Sequence, residues 1–383
     1  MASDLHSNAA AQFYTGPSKQ SWISKGKMIS SLRGLAERLA PNGSSSTLGG
    51  FTKAKTALDL FPKTDPKIDG DECLRDCDSC TVHLPKNFKI DEDEELYGHV
   101  KGWSRHILCA TGKTDWVRDV SDEKGSIMEA VGKHDGLHEG KLMLSASNIP
   151  VPENPEVPNS TTVLLLPAFT IIENVTPSSV PGLITHVINS APKNTDPLGE
   201  PNQVTSAVTS EPSIPPELKL KVRPCPHNYL ILLCSQKTRD ARCGQSAPLL
   251  RKEFERHLRP LGLYRDLHDE RPGGVGIYFI SHVGGHKFSA NVMIYRRASA
   301  PKLDGEACET EKEEHKVDEV KAHPGSKEAQ EVNLGASQCI WIARVRPEDC
   351  ENIVKYTVLQ GKVHKPEYQL RGGFDRSKQL ISW

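Results

Sequence analysis

The sequence has almost no net charge and no long apolar run. Its 48 Lys and Arg residues balance 49 Asp and Glu residues, so its charge gives no general attraction to nucleic acid or to a membrane surface. No apolar run approaches the ~20 residues of a membrane-spanning helix. The first residues also lack the apolar segment of a secretory signal. These absences predict an intracellular protein without a membrane span and without a nucleic-acid partner.

Cysteine is sparse for a chain of 383 residues. Ten cysteines are too few for a disulfide scaffold, and without a secretory signal most are expected to stay reduced. Cys73, Cys77 and Cys80 form one group, and Cys234 and Cys243 form another. The scattered remainder is expected to serve as small buried hydrophobic residues: Cys109, Cys225, Cys308, Cys339 and Cys350.

Two stretches with the same pattern organise the chain. An apolar run over 229–233 leads into Cys234 and Cys243, and a run over 277–280 leads into His282 and His286. Such β-branched and aromatic runs predict two strands, each followed by a polar loop. If the strands pair side by side, both loops lie at the same end of the sheet. The two stretches therefore predict one site with four ligands.

The residues between the ligands favour loops and thiolates. Gly284 and Gly285 would cost a helix about 2 kcal/mol, so the histidine pair is predicted to lie in a loop whose glycines allow close backbone approach. Lys237, Arg239 and Arg242 surround the cysteines. Their positive charge favours the thiolate form at neutral pH.

Two thiolates and two imidazoles permit two kinds of metal centre. One is a structural tetrahedral zinc ion, and the other is a 2Fe-2S cluster with the cysteines on one iron and the histidines on the other. Zinc sites of this composition usually use tight knuckles, which the spacings of nine and four residues do not match. A wider cluster tolerates longer loops. The remaining alternative is that all four are ordinary loop residues.

Two further stretches carry weaker signals. Cys73, Cys77, Cys80 and His83 fall within eleven residues, so they could hold zinc or form a disulfide, or be reduced structural residues. Residues 112–114 read Gly-Lys-Thr, as at the end of a phosphate-binding loop. The glycine required five positions earlier is Ile107, which excludes that loop.

Composition divides the chain into segments. Residues 1–50 are predicted to be disordered, with a patch at 27–39 that is either a mitochondrial transit helix or a surface helix. A domain is predicted over 51–190, a proline-rich linker over 191–222 and a second domain over 223–383. Within the second domain, residues 298–336 have few large apolar residues and are predicted to form a disordered insertion.

The second domain shows the order strand, helix, strand, strand, strand, helix. A helix capped by Ser246 and ending before Pro260 follows the cysteine loop, and a helix begins at Pro347. This order is that of a thioredoxin-like α/β layer, in which helices cover a small mixed sheet. A faint internal repeat suggests that the first domain is a second, degenerate thioredoxin-like copy without the four ligands.

Several motifs together resemble a known family. They are the loop Arg239-Asp-Ala-Arg-Cys243-Gly after Cys234, the His282-x3-His286 pair, and the strand Trp341-Ile-Ala-Arg-Val-Arg-Pro347. This set resembles the fungal and plant sucrase/ferredoxin-like family, in particular its altered-inheritance-of-mitochondria branch. The resemblance covers roughly residues 70 to 383.

The resemblance implies a thioredoxin-like ferredoxin fold with a 2Fe-2S cluster. The family's ligands correspond to Cys234, Cys243, His282 and His286. The expected function is electron transfer or redox sensing with proton-coupled reduction, rather than catalysis on an organic substrate, and the electron donor and acceptor stay open. The alternatives are a thiol-disulfide oxidoreductase that uses Cys73, Cys77, Cys80 or Cys243, and a zinc-stabilised interaction module.

The last residues, Ile381, Ser382 and Trp383, suggest a partner. They resemble the C-terminal signal that docks client proteins on the cytosolic iron-sulfur targeting complex. The alternative is a last strand residue that packs on its own domain. This signal favours the cytosol, whereas the family branch favours the mitochondrion, so both compartments stay open.

Overall fold

The structure, a computed structural model, describes residues 50–137, 139–198, 213–301 and 335–383. Three predicted segments therefore lie wholly or mostly outside the described residues: the N-terminal segment, the middle of the linker and most of the insertion. Cys308 also lies outside them.

Thirteen strands of the described residues form one mixed sheet. They are β1 (Thr52–Lys53), β2 (Arg105–Ala110), β3 (Leu142–Ser147), β4 (Thr161–Leu166), β5 (Thr170–Val175), β6 (Lys221–Pro224), β7 (Tyr229–Cys234), β8 (Tyr264–Arg265), β9 (Val275–Ile280), β10 (Val292–Arg297), β11 (Ala336–Ile342), β12 (Leu370–Asp375) and β13 (Leu380–Ile381). The α-helices are α1 (Ala57–Leu60), α2 (Pro66–Asp69), α3 (Ile127–Gly132), α4 (Val180–Leu183), α5 (Ala241–Leu258), α6 (Cys350–Asn352) and α7 (Pro366–Gln369). Short 3-10 turns lie at Asp71–Leu74, Val120–Asp122, Pro177–Ser179, Pro216–Leu218, His286–Phe288 and Pro347–Asp349, and π-helical turns at Ile184–Ile188 and Ile353–Val358.

The two halves of the sheet repeat one strand order. In the first half the order is β3-β2-β4-β5, and in the second it is β9-β7-β10-β11. In each half the two strands joined through a helix are parallel and the next two are antiparallel. This order confirms the predicted α/β fold class, a thioredoxin-like mixed sheet with a second copy of the same layer.

The halves meet where β3 and β9 end. These strands pair antiparallel through Ser147 and Ile280, the last residue of each. The Ser281 amide donates to the Ala146 carbonyl at 2.9 Å, and the Ser147 hydroxyl donates to the Phe279 carbonyl at 2.9 Å. The loops after the parallel strands of both halves therefore converge at the middle of the sheet. The bounds 51–190 and 223–383 for two separate domains stay a prediction.

The central strands are apolar on both faces because both faces are covered. In β7 every residue is buried. Ile231 and Leu233 pack in the same cluster as Phe254 of α5, whereas Leu230 and Leu232 pack in the cluster on the other face. Each fully buried large aliphatic or aromatic side chain of this kind contributes about 1.5 to 3 kcal/mol.

The segment before the first thioredoxin-like layer packs on the second. β1 pairs in parallel with β13 through Thr52 and Leu380. Further along, the Cys77 amide donates to the Glu348 carbonyl at 3.0 Å. Residues 50–80 thereby close the far edge of the sheet and reach α6.

The structure corrects two predicted boundaries. The helix expected to start at Ser246 starts at Ala241, because the Asp240 carboxylate caps it by accepting from the Arg242 amide at 2.9 Å. Gly244 and Pro248 disfavour a helix, but the buried face that packs on the sheet outweighs their effect. The linker predicted to end at residue 222 contains the start of β6, which pairs with β5.

No described helix has the length and apolar character to cross a membrane.

Candidate metal centre

The two cysteines of the predicted site lie in contact below the surface. Cys234 is the last residue of β7, and Cys243 lies in the first turn of α5, so the predicted loop position of Cys243 was wrong. Both are buried. A hydrogen bond between the two sulfurs lowers the pKa of Cys243 and raises the pKa of Cys234. Ser289 also donates to the Cys243 sulfur at 3.8 Å, and the helix N-terminus favours negative charge there.

The two histidines lie in the predicted loop after β9. Their ring centroids are 5.0 Å apart. The Gln236 side chain accepts from the His282 amide at 2.8 Å and so ties this loop to the cysteine loop. The Nδ1 atoms of His282 and His286 are both buried and have no hydrogen-bond partner. Because buried polar atoms are normally paired, these two atoms are available as ligands.

The protonation state of His282 suits ligation. Burial lowers the pKa of His282 to about 4, with further contributions from Arg239 and His286. His282 is therefore neutral at pH 7 and keeps a free lone pair. The His286 side chain is 40% exposed, and its Nε2 atom lies 3.9 Å from an Asp240 carboxylate oxygen. One histidine thus lies inside the site, while the other reaches solvent.

Arg371 of β12 supports the histidine loop from below. Its guanidinium donates to the Gly284 carbonyl at 3.0 Å and to the Asn291 side-chain oxygen at 2.8 Å, and it lies 4.5 Å from the centre of the Trp341 ring. Gly285 has a φ of 69°, and a Cβ there would lie 2.6 Å from this guanidinium. The predicted need for close backbone approach is confirmed at Gly285.

Burial lowers the pKa of Arg371 to about 10, and the Cys234 sulfur opposes this shift. Arg371 is therefore still charged at pH 7. It places a fixed positive charge next to the cysteine pair.

The four candidate ligand residues form two pairs instead of one tetrahedron. A hydrogen bond links the sulfurs of Cys234 and Cys243, and the tilted rings of His282 and His286 have their centroids 5.0 Å apart. Yet within the described part of the chain no three of these residues bring their ligand atoms within 4.8 Å of one another. A single zinc ion with ligand bonds of about 2.0 to 2.3 Å would require that proximity.

The first half of the molecule supplies one wall of the site. The Asp115 carboxylate accepts from the Thr238 amide at 3.0 Å and from the Thr238 hydroxyl at 2.8 Å. The Ser235 hydroxyl donates to the Thr114 carbonyl at 2.8 Å. The segment that resembled a phosphate-binding loop therefore fastens the start of the cysteine loop.

A known protein family matches most of the chain. Residues 96–372, more than half of the chain, match the model of the sucrase/ferredoxin-like family. The chain belongs to the sucrase/ferredoxin-like family. The matched range contains all four residues of the candidate site, and the predicted family is confirmed.

Curated relatives include members of the expected branch of the family. The chain is 29% identical to actin patches distal protein 1 of Saccharomyces cerevisiae over 61% of this chain and 75% of that protein. It is 28% identical to altered inheritance of mitochondria protein 32 of Clavispora lusitaniae over 37% of this chain and 35% of that protein. The protein of the same name from Debaryomyces hansenii is 29% identical over 37% of this chain and 34% of its own length. No solved structure matches the chain significantly.

In this sucrase/ferredoxin-like chain, several residues that shape the site were not predicted from the sequence. Ser289 and Asn291 are polar residues directly before the apolar strand β10, a local signal that could have identified them. Gln236 also lies in the predicted cysteine loop. Arg371 carries no such signal, because only the pairing of β11 with β12 brings it under the histidine loop.

Three arrangements were predicted for the other cysteine group of this family member, and the structure agrees with reduced residues. Cys73, Cys77 and Cys80 are free thiols, and the Cys80 sulfur donates to the Val82 carbonyl at 3.1 Å. His83 is exposed next to Glu348. These four residues do not form a common metal site among the described residues. Cys77 instead meets His257 and Glu351.

Proposed function

We propose that this protein holds a 2Fe-2S cluster through Cys234, Cys243, His282 and His286, and that it transfers electrons or senses redox state. The observation that carries the proposal is the division of the ligand atoms into a sulfur pair and an imidazole pair. A two-iron cluster with two cysteines on one iron and two histidines on the other takes its ligands in such pairs.

The surroundings of the ligands support the proposal. Backbone amides of Val283 and Gln236 hydrogen-bond to the Cys234 sulfur and favour its negative form. Ser289 acts in the same way on Cys243. Hydrogen bonds to ligand sulfurs and nearby positive charge, here from Arg371, are means by which proteins adjust a cluster's reduction potential. The unpaired Nδ1 atoms of both histidines complete the ligand set.

When bound, the cluster would supply one-electron chemistry, and the ligand set determines how easily an electron is added. Replacing two thiolates with neutral imidazoles removes two negative charges. Centres with such histidines have potentials of about −150 to +300 mV, against about −400 mV for all-cysteine plant-type clusters. We therefore expect a potential above that of plant-type ferredoxins.

Proton uptake is the second part of the proposed function. His286 is partly exposed, so its Nε2 atom can exchange a proton with solvent. A hydrogen bond from Arg242 lowers the pKa of Asp240, which keeps this carboxylate ionised near His286. An electron added to the cluster favours a proton on an imidazole ligand, so reduction and protonation are expected to be coupled.

The decisive experiment is the metal content and visible spectrum of protein purified without air. We expect a red-brown protein with two irons and two acid-labile sulfides per chain, a content that Cys234→Ser and His282→Ala reduce. As a matched control, Cys339→Ser changes a buried cysteine away from the site and should leave iron content unchanged. A colourless protein with one zinc bound by the same four residues would contradict the proposal and favour the zinc-stabilised module.

A second candidate function rests on the contact between the two sulfurs. A thiol next to a thiolate at a helix N-terminus is also the arrangement of a redox-active cysteine pair. Here a thiol-disulfide oxidoreductase would use Cys234 and Cys243 and need neither histidine. Iron-free wild-type protein that exchanges disulfides with a model substrate, with equal rates in His282→Ala, would favour this candidate.

The names of the relatives support a connection with mitochondria, because several are named for altered inheritance of mitochondria.

The proposed cytosolic targeting through Ile381, Ser382 and Trp383 competes with the contacts that these residues make inside the protein. The Trp383 ring lies 4.6 Å from the Trp103 ring, and the Ser382 hydroxyl accepts from the Gly373 amide at 2.9 Å. Docking of this tripeptide on a partner would require these contacts to open.

Removal of Trp383 distinguishes a role in docking on a partner from a role in packing within the protein. If docking matters, the truncated protein has less iron in cells, while chemical reconstitution of the purified protein restores its spectrum. Equal iron content in cells with and without Trp383 would contradict the docking role. A truncated protein that cannot be reconstituted would favour the packing role.

A further inference from the structure

A second group of metal-ligating side chains lies at the opposite end of α5 from Cys243. One ligand atom each of Cys77, His257 and Glu351 lies within 4.8 Å of the other two. His257 is in the last turn of α5, Glu351 is in α6, and Cys77 belongs to the segment that precedes the first thioredoxin-like layer. Three stretches distant in sequence thus place a thiol, an imidazole and a carboxylate together.

The Arg256 guanidinium lies against two members of this group. The Arg256 Nη2 atom lies 3.4 Å from the Cys77 sulfur and 3.0 Å from the His257 Nε2 atom. Both atoms can accept from this one cationic donor. The space between the sulfur and the imidazole nitrogen therefore attracts positive charge, and a metal cation could bind there in place of the guanidinium. Arg256 also pairs with Glu253 at 2.7 Å, so its guanidinium keeps a partner if a cation displaces it.

The ligand types indicate the class of metal. Thiolate and imidazole select zinc and related transition metals over magnesium and calcium, which prefer oxygen ligands. Burial lowers the pKa of His257, so its imidazole is neutral at pH 7 and can act as a ligand. Cys77 is buried and the His257 side chain is 13% exposed, whereas Glu351 faces solvent. The open side leaves room for a water molecule as fourth ligand of a tetrahedral ion.

We propose that Cys77, His257 and Glu351 form a zinc site, separate from the candidate cluster site, in which Arg256 competes with the metal. The site fastens the segment around Cys77 to α5 and α6. Neighbouring contacts already hold these parts together: Thr81 donates to the Glu253 carboxylate at 3.0 Å, and Asn352 donates to the Arg75 carbonyl at 2.7 Å. Zinc therefore adds a cross-link to a surface that is formed without it.

The test uses the full chain after growth with zinc and after purification without chelators. We expect one zinc per chain in addition to any iron, and zinc-edge X-ray absorption with one sulfur ligand at about 2.3 Å and nitrogen or oxygen ligands at shorter distance. Cys77→Ser should lose the zinc and the sulfur signal and keep its iron. Cys80→Ser, which changes a neighbouring thiol outside the group, should keep both.

Two more variants make the test independent of folding. Glu351→Gln changes an exposed side chain, so the protein should fold and bind zinc at least tenfold more weakly in a competition with a coloured chelator. Arg256→Gln removes the competing cation and should bind zinc more tightly than wild type. Unchanged zinc affinity in both variants would mean adventitious zinc only and would overturn the proposal.

The cluster ligands provide the last control. In Cys234→Ser the zinc and its single-sulfur signal should remain, whether or not this variant carries iron. If zinc disappears in Cys234→Ser and persists in Cys77→Ser, the metal belongs to the candidate cluster site. That result would contradict the second site, and an iron-free protein that retains zinc at Cys77 would contradict only the proposed function.

Discussion

At the scale of single residues, the four proposed ligands could be selected from the sequence, and the groups that hold them only in part. Cys234, Cys243, His282 and His286 each follow an apolar run at short spacing, and such local patterns can be seen in a sequence. Arg371 reaches the site through the pairing of distant strands. Its role depends on tertiary structure, so no local pattern predicts it.

The first prediction concerns His286, the proposed ligand that reaches solvent. The wild-type potential should fall as pH rises, with a slope that approaches about 59 mV per pH unit where one proton accompanies one electron. His286→Cys should keep a cluster, lower its potential by on the order of 100 mV and reduce this slope, because a thiolate adds negative charge and removes the titrating imidazole. Voltammetry between pH 6 and 9 measures both quantities.

Its control is His268→Cys, which introduces a thiol at an exposed position in the connection between β8 and β9, at the opposite end of β9 from the site. This variant should keep the wild-type potential and slope. A wild-type potential that is constant between pH 6 and 9 would argue against imidazole ligands.

At the scale of elements, the positions of strands could be predicted from composition, whereas the ends of helices could not. The runs in β7 and β9 are long, apolar and β-branched, so their assignment was correct. The start of α5 was placed too late because Gly244 and Pro248 lower helix propensity, and the buried face that overrides them becomes apparent only when the sheet is assembled. The contact between the Asp115 loop and the cysteine loop also forms only when the two halves of the sheet come together, so it could not be predicted from either segment.

The second prediction concerns this contact. Asp115→Ala removes the acceptor for two donors of Thr238, and since the contact is largely solvent-exposed we expect a loss of about 1 kcal/mol. Iron transfer to a strong chelator should become about fivefold faster if it requires this loop to open. The absorption spectrum should not change, because no ligand is altered. Asp122→Ala, an exposed change nearby, is the control, and equal rates in both variants would refute a clamping role.

The third prediction concerns the connection between β10 and β11. The Ala298 amide donates to the Gly335 carbonyl at 2.8 Å, and Arg297 pairs with Ala336, so the two ends of the connection lie side by side. Replacing residues 302–334 with a short glycine-containing turn should therefore preserve the hairpin and the cluster. Iron analysis of the shortened protein checks this. A soluble shortened protein that has lost its iron would show that the deleted residues help to build the site.

At the scale of the whole molecule, the repeated strand order was predicted, whereas the way the two copies join was not. The join rests on the ends of β3 and β9 and on buried polar contacts. His106 of the first half donates or accepts at Tyr295 of the second half at 3.1 Å and at Ser145 at 2.9 Å. Such pairings between distant segments have no sequence period from which they could be predicted.

The fourth prediction follows from the burial of His106. Burial lowers its pKa to about 3, whereas an unfolded histidine titrates near 6.5. Between these values the unfolded state binds more protons, so stability decreases as pH falls below about 6.5. At pH 5 this one group should lower the free energy of unfolding by about 2 kcal/mol relative to pH 7.5.

His106→Gln keeps a hydrogen-bonding side chain without this titration. Urea unfolding of wild type and variant at pH 7.5 and pH 5 should show a smaller acid effect in the variant, whatever its stability at pH 7.5. His99→Gln, at an exposed position, should keep the wild-type difference. An equal acid effect in wild type and His106→Gln would mean that other groups cause it.

The pairing of β1 with β13 determines when the molecule can be completed during translation. β1 leaves the ribosome about 330 residues before its partner strand, which at about 5 to 20 residues per second is a delay of roughly 16 to 66 seconds. The strands of the first thioredoxin-like layer are neighbours in the chain and can assemble within that time. Cys77 has to wait until His257 and Glu351 have been synthesised. Its thiol is exposed to cellular oxidants and metals until Glu351 has emerged.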